Sequence, residues 1–293
     1  MRIPRPRVSG RVAAAVAALL VPLAFAGSAL AGEPTGEYAI FKNCPYEKTE
    51  VKQCVYSETL SGKVILGNQE VPIKNKILLQ GGSRLNLETG NEEFFAAKTG
   101  TESLQKVAQS VPNGLLGIVG LESVLPWWLR PLYKAVNNVE AVTELAKPAS
   151  EIGISAGNLI AEEGTALKLP VKVHLENLLL GSSCYIGSST SPITWQLTSG
   201  STKPEGPNKS IKGTPGELSL NEAETILTAK GYELVDNAFS APAASGCGGL
   251  FSIIINPIVD LKIGLASPDG KNTAILAGNL KRAVAGAVRT SAE

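Results

Sequence analysis

The chain has 293 residues, 27 basic and 26 acidic side chains, one histidine and four cysteines. That length can bury a substantial core, as one large domain or two small ones. The balanced charge gives no electrostatic reason to expect nucleic acid, and a lone histidine excludes a histidine-rich zinc site within one chain.

The first 31 residues read as a secretory signal peptide. Arg2, Arg5, Arg7 and Arg11 form a positive start, Val12 to Ala26 is apolar, and Ala29-Leu30-Ala31 offers small residues for cleavage after Ala31. A membrane-anchoring helix is the competing reading; Pro22, the alanine-rich run and the small residues at its end weigh against it. No cysteine lies at the cleavage point, so a lipid anchor is not expected. The expected location is secreted and extracellular, with a peripheral place at the cell envelope as a variant. Residues 32–293 are then a single β-rich domain. All four early charges are arginines, so that part is mildly acidic.

Export turns the cysteines into disulfide candidates. Cys44, Cys54, Cys184 and Cys247 are an even set in an oxidising compartment. Four cysteines allow three pairings; short spacing favours Cys44–Cys54, which leaves Cys184–Cys247. Their loops would contribute roughly 3 and 4 kcal/mol in the chain-entropy model. A metal site is the poorer reading, because no two cysteines have Cys-x-x-Cys spacing.

Strand signals come first along the chain. Gln53 to Thr59 reads as a strand, Ser61-Gly62 as a turn, Lys63 to Leu66 as a second strand and Gly67-Asn68 as a second turn. Val71, Ile73, Ile77 and Leu79 share one face of a period-two segment that Gly81-Gly82 would end. The pattern then changes. Glu102 to Ser110 reads as a short helix, and Leu132, Val136, Val139, Val142 and Ala146 recur at helical spacing up to Pro148. Residues 102–163 are therefore expected to be a helical insertion.

Alternation returns at Val171, Val173 and Leu175, and Pro192 to Ser199 is a further candidate strand. Residues 200–216, rich in Gly, Pro, Ser, Thr and Lys, read as a surface loop. Ser219 and Glu222 have capping-box spacing for a helix stopped at Gly231. Leu250 to Ile263 and Lys271 to Leu280 read as a strand pair about the turn Ser267-Pro268-Asp269-Gly270. The expected fold is mainly β, an antiparallel sandwich or barrel-like structure with a helical insertion; the alternative is α+β.

Several stretches have a family look: Cys44-Pro45 with Cys54-Val55-Tyr56, Leu78-Leu79-Gln80-Gly81-Gly82, Val235-Asp236-Asn237-Ala238-Phe239, and Gly246-Cys247-Gly248-Gly249. In these the chain resembles a family of secreted actinobacterial proteins with no assigned activity. The resemblance implies export and supplies no functional residues.

Motifs for chemistry are weak. Gly153-Ile154-Ser155-Ala156-Gly157 matches the G-x-S-x-G elbow of serine hydrolases, which needs a strand before the serine, a helix after it and a histidine within reach. A structural turn is the better account. His174, the only available base, alternates with apolar residues beside Lys172 and Glu176, as a surface histidine would. Gly264 to Lys271 fails Walker A spacing, and the pairs Glu92-Glu93 and Glu162-Glu163 carry no assignable acid and base roles. Trp127 and Trp128 are the strongest binding signal. They suit contact with a lipid interface or an apolar ligand, although burial over the β core is the commoner fate of large aromatics. No catalytic, cofactor-binding or metal residue is assigned. The expected function is a secreted, non-enzymatic binding or envelope-associated module whose partner is envelope lipid or an apolar ligand. The alternative is an exported hydrolase, esterase-like through Ser155 or a glycosidase.

Overall fold

The computed structural model describes residues 32–86, 92–115, 123 and 125–293; the expected signal peptide lies outside them. In chain order the strands begin with β1 (Gln53–Leu66), β2 (Gln69–Pro72), β3 (Ile77–Leu85), β4 (Glu92–Ala96) and β5 (Ala108–Ser110). Helix α1 (Arg130–Asn137), β6 (Glu140–Leu145), β7 (Gly153–Ile154) and α2 (Ala156–Ala161) follow. Next come β8 (Leu167–Glu176), β9 (Tyr185–Ile186), β10 (Ile193–Leu197), β11 (Glu217–Leu220) and β12 (Ile226–Asp236). The chain closes with β13 (Ala244–Ser245), α3 (Ser252–Ile263), β14 (Thr273–Val284) and α4 (Ala285–Thr290).

The fold is mainly antiparallel β with a helical segment inserted. Its strands join one 14-stranded sheet whose main order is β11-β12-β14-β1-β3-β4-β7-β8-β6-β5, with β10 also paired to β8. The sheet curls until its two sides meet. Immediately after β10, Thr198 and Val235 of β12 exchange backbone hydrogen bonds of 2.9 Å, bringing β10 back to β12. A second return lies farther along the strands. The Gln109 side chain in β5 accepts the N–H groups of Lys74 and Asn75 at 2.8 and 3.0 Å and donates to Asn75 O, tying β5 to the β2–β3 connection.

Two bulges help the sheet to curl. β1 is bulged between Thr59 and Ser61 and β12 between Lys230 and Tyr232, both where they flank Gly278 of β14. A bulge inserts one unpaired residue, bends its strand and increases local twist. Gly231 supplies that residue in β12 at φ 69°, a conformation that favours glycine. The register beyond it turns Tyr232 toward the interior, where it is buried.

The strand expectations hold for Gln53–Thr59, β8 and β10, and the chain turns at Gly67-Asn68. Others are corrected. Ser61-Gly62 lies inside a single long β1, since the bulge lets the strand continue. Val71–Leu79 is divided between β2 and β3. Gly81-Gly82 sits within β3, where a Cβ at Gly81 would run into the Phe94 ring. Glu102–Ser110 is extended; Leu104 bridges Leu79 and β5 pairs with β6. The helix predicted over 132–146 stops at Asn137, because Glu140–Leu145 gains a ladder with β8. The predicted helix after Ser219 is a hairpin: Asn221 Oδ1 accepts the N–H groups of Thr225 and Ile226, and β11 pairs with β12. The expected strand over 250–263 is α3, preceded by a 3-10 turn over Gly249–Phe251.

The disulfides are Cys44–Cys54 and Cys184–Cys247, and no described cysteine is free. Cys44–Cys54 belongs to a small second core with Phe41, Tyr46, Val51, Ile226 and Val288. That core packs at the end of β1 where the strand begins. The main core fills the rest of the curled sheet.

Candidate functional site

Inside the curl, alternation on many strands sends apolar side chains toward one space. β8 contributes Leu167, Leu169, Val173 and Leu175, β2 Val71, β3 Ile77 and Leu79, β14 Leu276, and α3 adds Val259 and Ile263. They line an apolar cavity of about 100 Å³. Apolar cavities remain dry and accept apolar guests, and pockets of this class are apolar with a few placed polar groups.

The polar groups in the lining are few and mostly satisfied. Tyr232 Oη lies 2.9 Å from Ser57 Oγ and 3.5 Å from Thr59 Oγ1. Burial pushes the Tyr232 phenol above its usual range, against the opposing effect of the two hydroxyls. Gln109 is used by the backbone contacts described above. Trp195 is the exception: it is buried, lines the cavity, and its Nε1–H has no hydrogen-bond partner. An unmet buried donor costs about 1–3 kcal/mol. Lys262 of α3 also borders the space and is exposed.

Ser155 and His174 are not brought together. A two-residue strand does precede Ser155 and a helix follows, yet its hydroxyl caps α2 by accepting Asn158 N–H at 3.2 Å. Ser155 N bonds Ala166 O, while His174 lies eight residues farther along β8. At about 3.3 Å per strand residue the two are roughly 26 Å apart. His174 is partly buried. It stacks on Tyr185 with ring centroids 4.5 Å apart, and its Nδ1 lies 3.4 Å from Glu176 and 4.0 Å from Glu144. Glu92 and Glu93 face opposite sides of β4. Glu92 forms a buried pair with Arg282, whereas Glu93 meets Arg84 at 2.7 Å and has its pKa lowered by bonds from Asn86 and Arg84. Glu162 ends α2 and pairs with Lys212 at 2.7 Å. Among the described residues no cluster of three His, Cys, Asp or Glu could hold a metal ion.

Trp127 and Trp128 are exposed, at 80% and 62%, and do not close the insertion over the core. Sequence reasoning missed the inward rows as a connected lining, because alternation within a strand does not reveal which strands face one another. It also missed Trp195 and α3. No known family model, curated protein or solved structure matches the chain, so the site is read from its own geometry.

Proposed function

We propose that this protein is an exported binding protein for a chain-like apolar molecule of the acyl-lipid class, held in the interior of the curled sheet. The observation that carries this reading is the apolar cavity, lined from many elements and bordered by Trp195, whose buried indole N–H has no partner. A flexible hydrocarbon chain suits such an apolar lining, and a carbonyl or ester oxygen would satisfy Trp195. The two disulfides suit an oxidising extracellular compartment. With Ser155 committed to a helix cap, the binding reading is favoured over a serine hydrolase.

A fluorescent fatty acid titrated into the protein should brighten saturably and be displaced by unlabelled palmitate. Ala141 lines the space and is buried, so Ala141→Phe should obstruct it and weaken uptake by about ten-fold or more, equivalent to about 1.4 kcal/mol. Absence of saturable uptake by folded wild-type protein would refute the proposal.

A further inference from the structure

α3 reverses the usual distribution on a surface helix. Its inward side carries Asn256, Val259, Asp260 and Ile263, at the spacing of one helical face. Val259 and Ile263 are buried at the cavity, Asn256 Oδ1 accepts Cys247 N–H at 2.9 Å, and Asp260 Oδ1 accepts Ala244 N–H at 2.7 Å. The outward side is apolar. Ile253, Ile254, Ile258 and Leu261 are 88%, 62%, 55% and 85% exposed, and Leu250 and Phe251 just before the helix are 99% and 68% exposed. A contiguous apolar face of this kind marks an interaction surface.

The face extends beyond α3. Gly248 N donates to Leu180 O at 2.6 Å, and Cys184–Cys247 staples the same two segments. Leu178 and Leu179, next to Leu180, are exposed. Asn177 Nδ2 then donates to Val136 O and Asn138 O, both at 2.7 Å, which joins this loop to the end of α1. α1 buries no side chain, exposes Leu132, and follows the exposed Trp127 and Trp128.

Charge selects the partner. On α1, α3 and the 177–184 loop, the charged residues are Arg130, Lys134, Lys262 and Asp260. The sole acid accepts a backbone N–H on the inward side. An apolar face with indoles and a cationic fringe matches the headgroup boundary of an anionic bilayer. α3 has 12 residues, about 18 Å of helix, and no described helix is long and apolar enough to cross a membrane. Docking in the plane of the interface is the geometry that fits. A second copy would instead bring these cations toward one another.

We propose that this ridge docks on anionic lipid surfaces and that α3, which borders the cavity, is where a lipid chain enters. The entry step rests on the acyl-binding reading; docking does not. Iodide should quench Trp127 and Trp128 in solution while leaving buried Trp195 largely untouched. In the full chain, vesicles of phosphatidylcholine with phosphatidylglycerol should abolish that quenching, and brominated acyl chains should quench the same indoles. Pure phosphatidylcholine should protect them much less. Ile253→Ser/Leu261→Ser, at exposed positions, should raise the lipid concentration needed for protection by about ten-fold, since interfacial binding scales with buried apolar area. The double variant should still take up fluorescent fatty acid from solution. Continued iodide quenching at saturating anionic lipid would overturn docking even if fatty acid is bound. Protection without fatty-acid uptake would leave docking standing and remove the entry step. A dimer in sedimentation equilibrium that the double variant dissociates would assign the ridge to self-association instead.

Discussion

Replacing Arg282 of β14 with Met tests how the curled sheet tolerates charge in its interior. Arg282 and Glu92 are only 7% and 12% exposed in their side chains. Glu92 Oε1 accepts Arg282 Nη1 at 3.0 Å and Ala156 N–H at 3.0 Å, Oε2 meets Nη2 at 2.5 Å, and Nη2 also donates to Ser83 Oγ. Arg282→Met alone leaves a carboxylate whose remaining partner is the Ala156 amide, and breaking a buried pair this way costs about 3–5 kcal/mol. Glu92→Met alone strands the guanidinium at a similar cost. The double replacement removes both charges and leaves Ser83 Oγ and Ala156 N–H to lose one bond each, at about 1 kcal/mol per bond. The double variant should therefore be more stable than either single variant. Urea unfolding of all four proteins at neutral pH gives the coupling energy directly. Additive losses, with the double variant worst of all, would refute the reasoning.

Two further outcomes follow from the staples and from a buried carboxylate. The disulfide loops differ in length, with separations of 63 for Cys184–Cys247 and 10 for Cys44–Cys54. Paired replacement by Ala should cost about 4 and about 3 kcal/mol in the chain-entropy model. Urea unfolding should show the larger loss for Cys184→Ala/Cys247→Ala, which should also release bound fatty acid faster because α3 loses its anchor. An equal or reversed order would count against the model. Asp236 is buried, and burial raises its pKa above 3.8 despite bonds from the Ala238 and Gln196 N–H groups. The native state then holds a proton that the unfolded state has released, so this contribution is complete below about pH 3.8 and disappears as pH rises through the native value. Asp236→Asn removes that slope. Wild type should lose stability relative to the variant across this window, and a relative gain would contradict the assignment.

Legibility in the sequence depended on whether a segment has one buried face or two demanding environments. Leu167, Leu169, Val171, Val173 and Leu175 are all buried while Lys168 and Glu176 are exposed, so β8 was readable from its alternation. Residues 132–146 misled because Leu132, Val136, Val139, Val142 and Ala146 satisfy helical spacing across a boundary at Asn138, whose ψ of 123° ends α1. The ladder with β8 is a long-range event and overrides that local rhythm. Asn221 misled differently: it takes the backbone N–H groups of a tight turn, so the Ser219–Glu222 spacing has no helix to cap.

α3 was unreadable for the same reason that makes it of interest. Helices are recognised by contrast between an apolar face and a polar one. Here Ile253, Ile254, Ile258 and Leu261 face outward, while Val259 and Ile263 face the cavity, so the apolar contrast cancels. Asn256 and Asp260 point inward to hold Cys247 and Ala244, and Lys262 is the exposed charge of the helix. A helix stabilised only by its inward side could keep that anchor with charged residues outside. The outward isoleucines and leucines contribute nothing to the packed core that would require them, and in water they leave apolar area uncovered. Their presence is accounted for if that side meets an apolar phase, and the cavity on the opposite side of the same helix then lies one helix diameter, about 10 Å, from it.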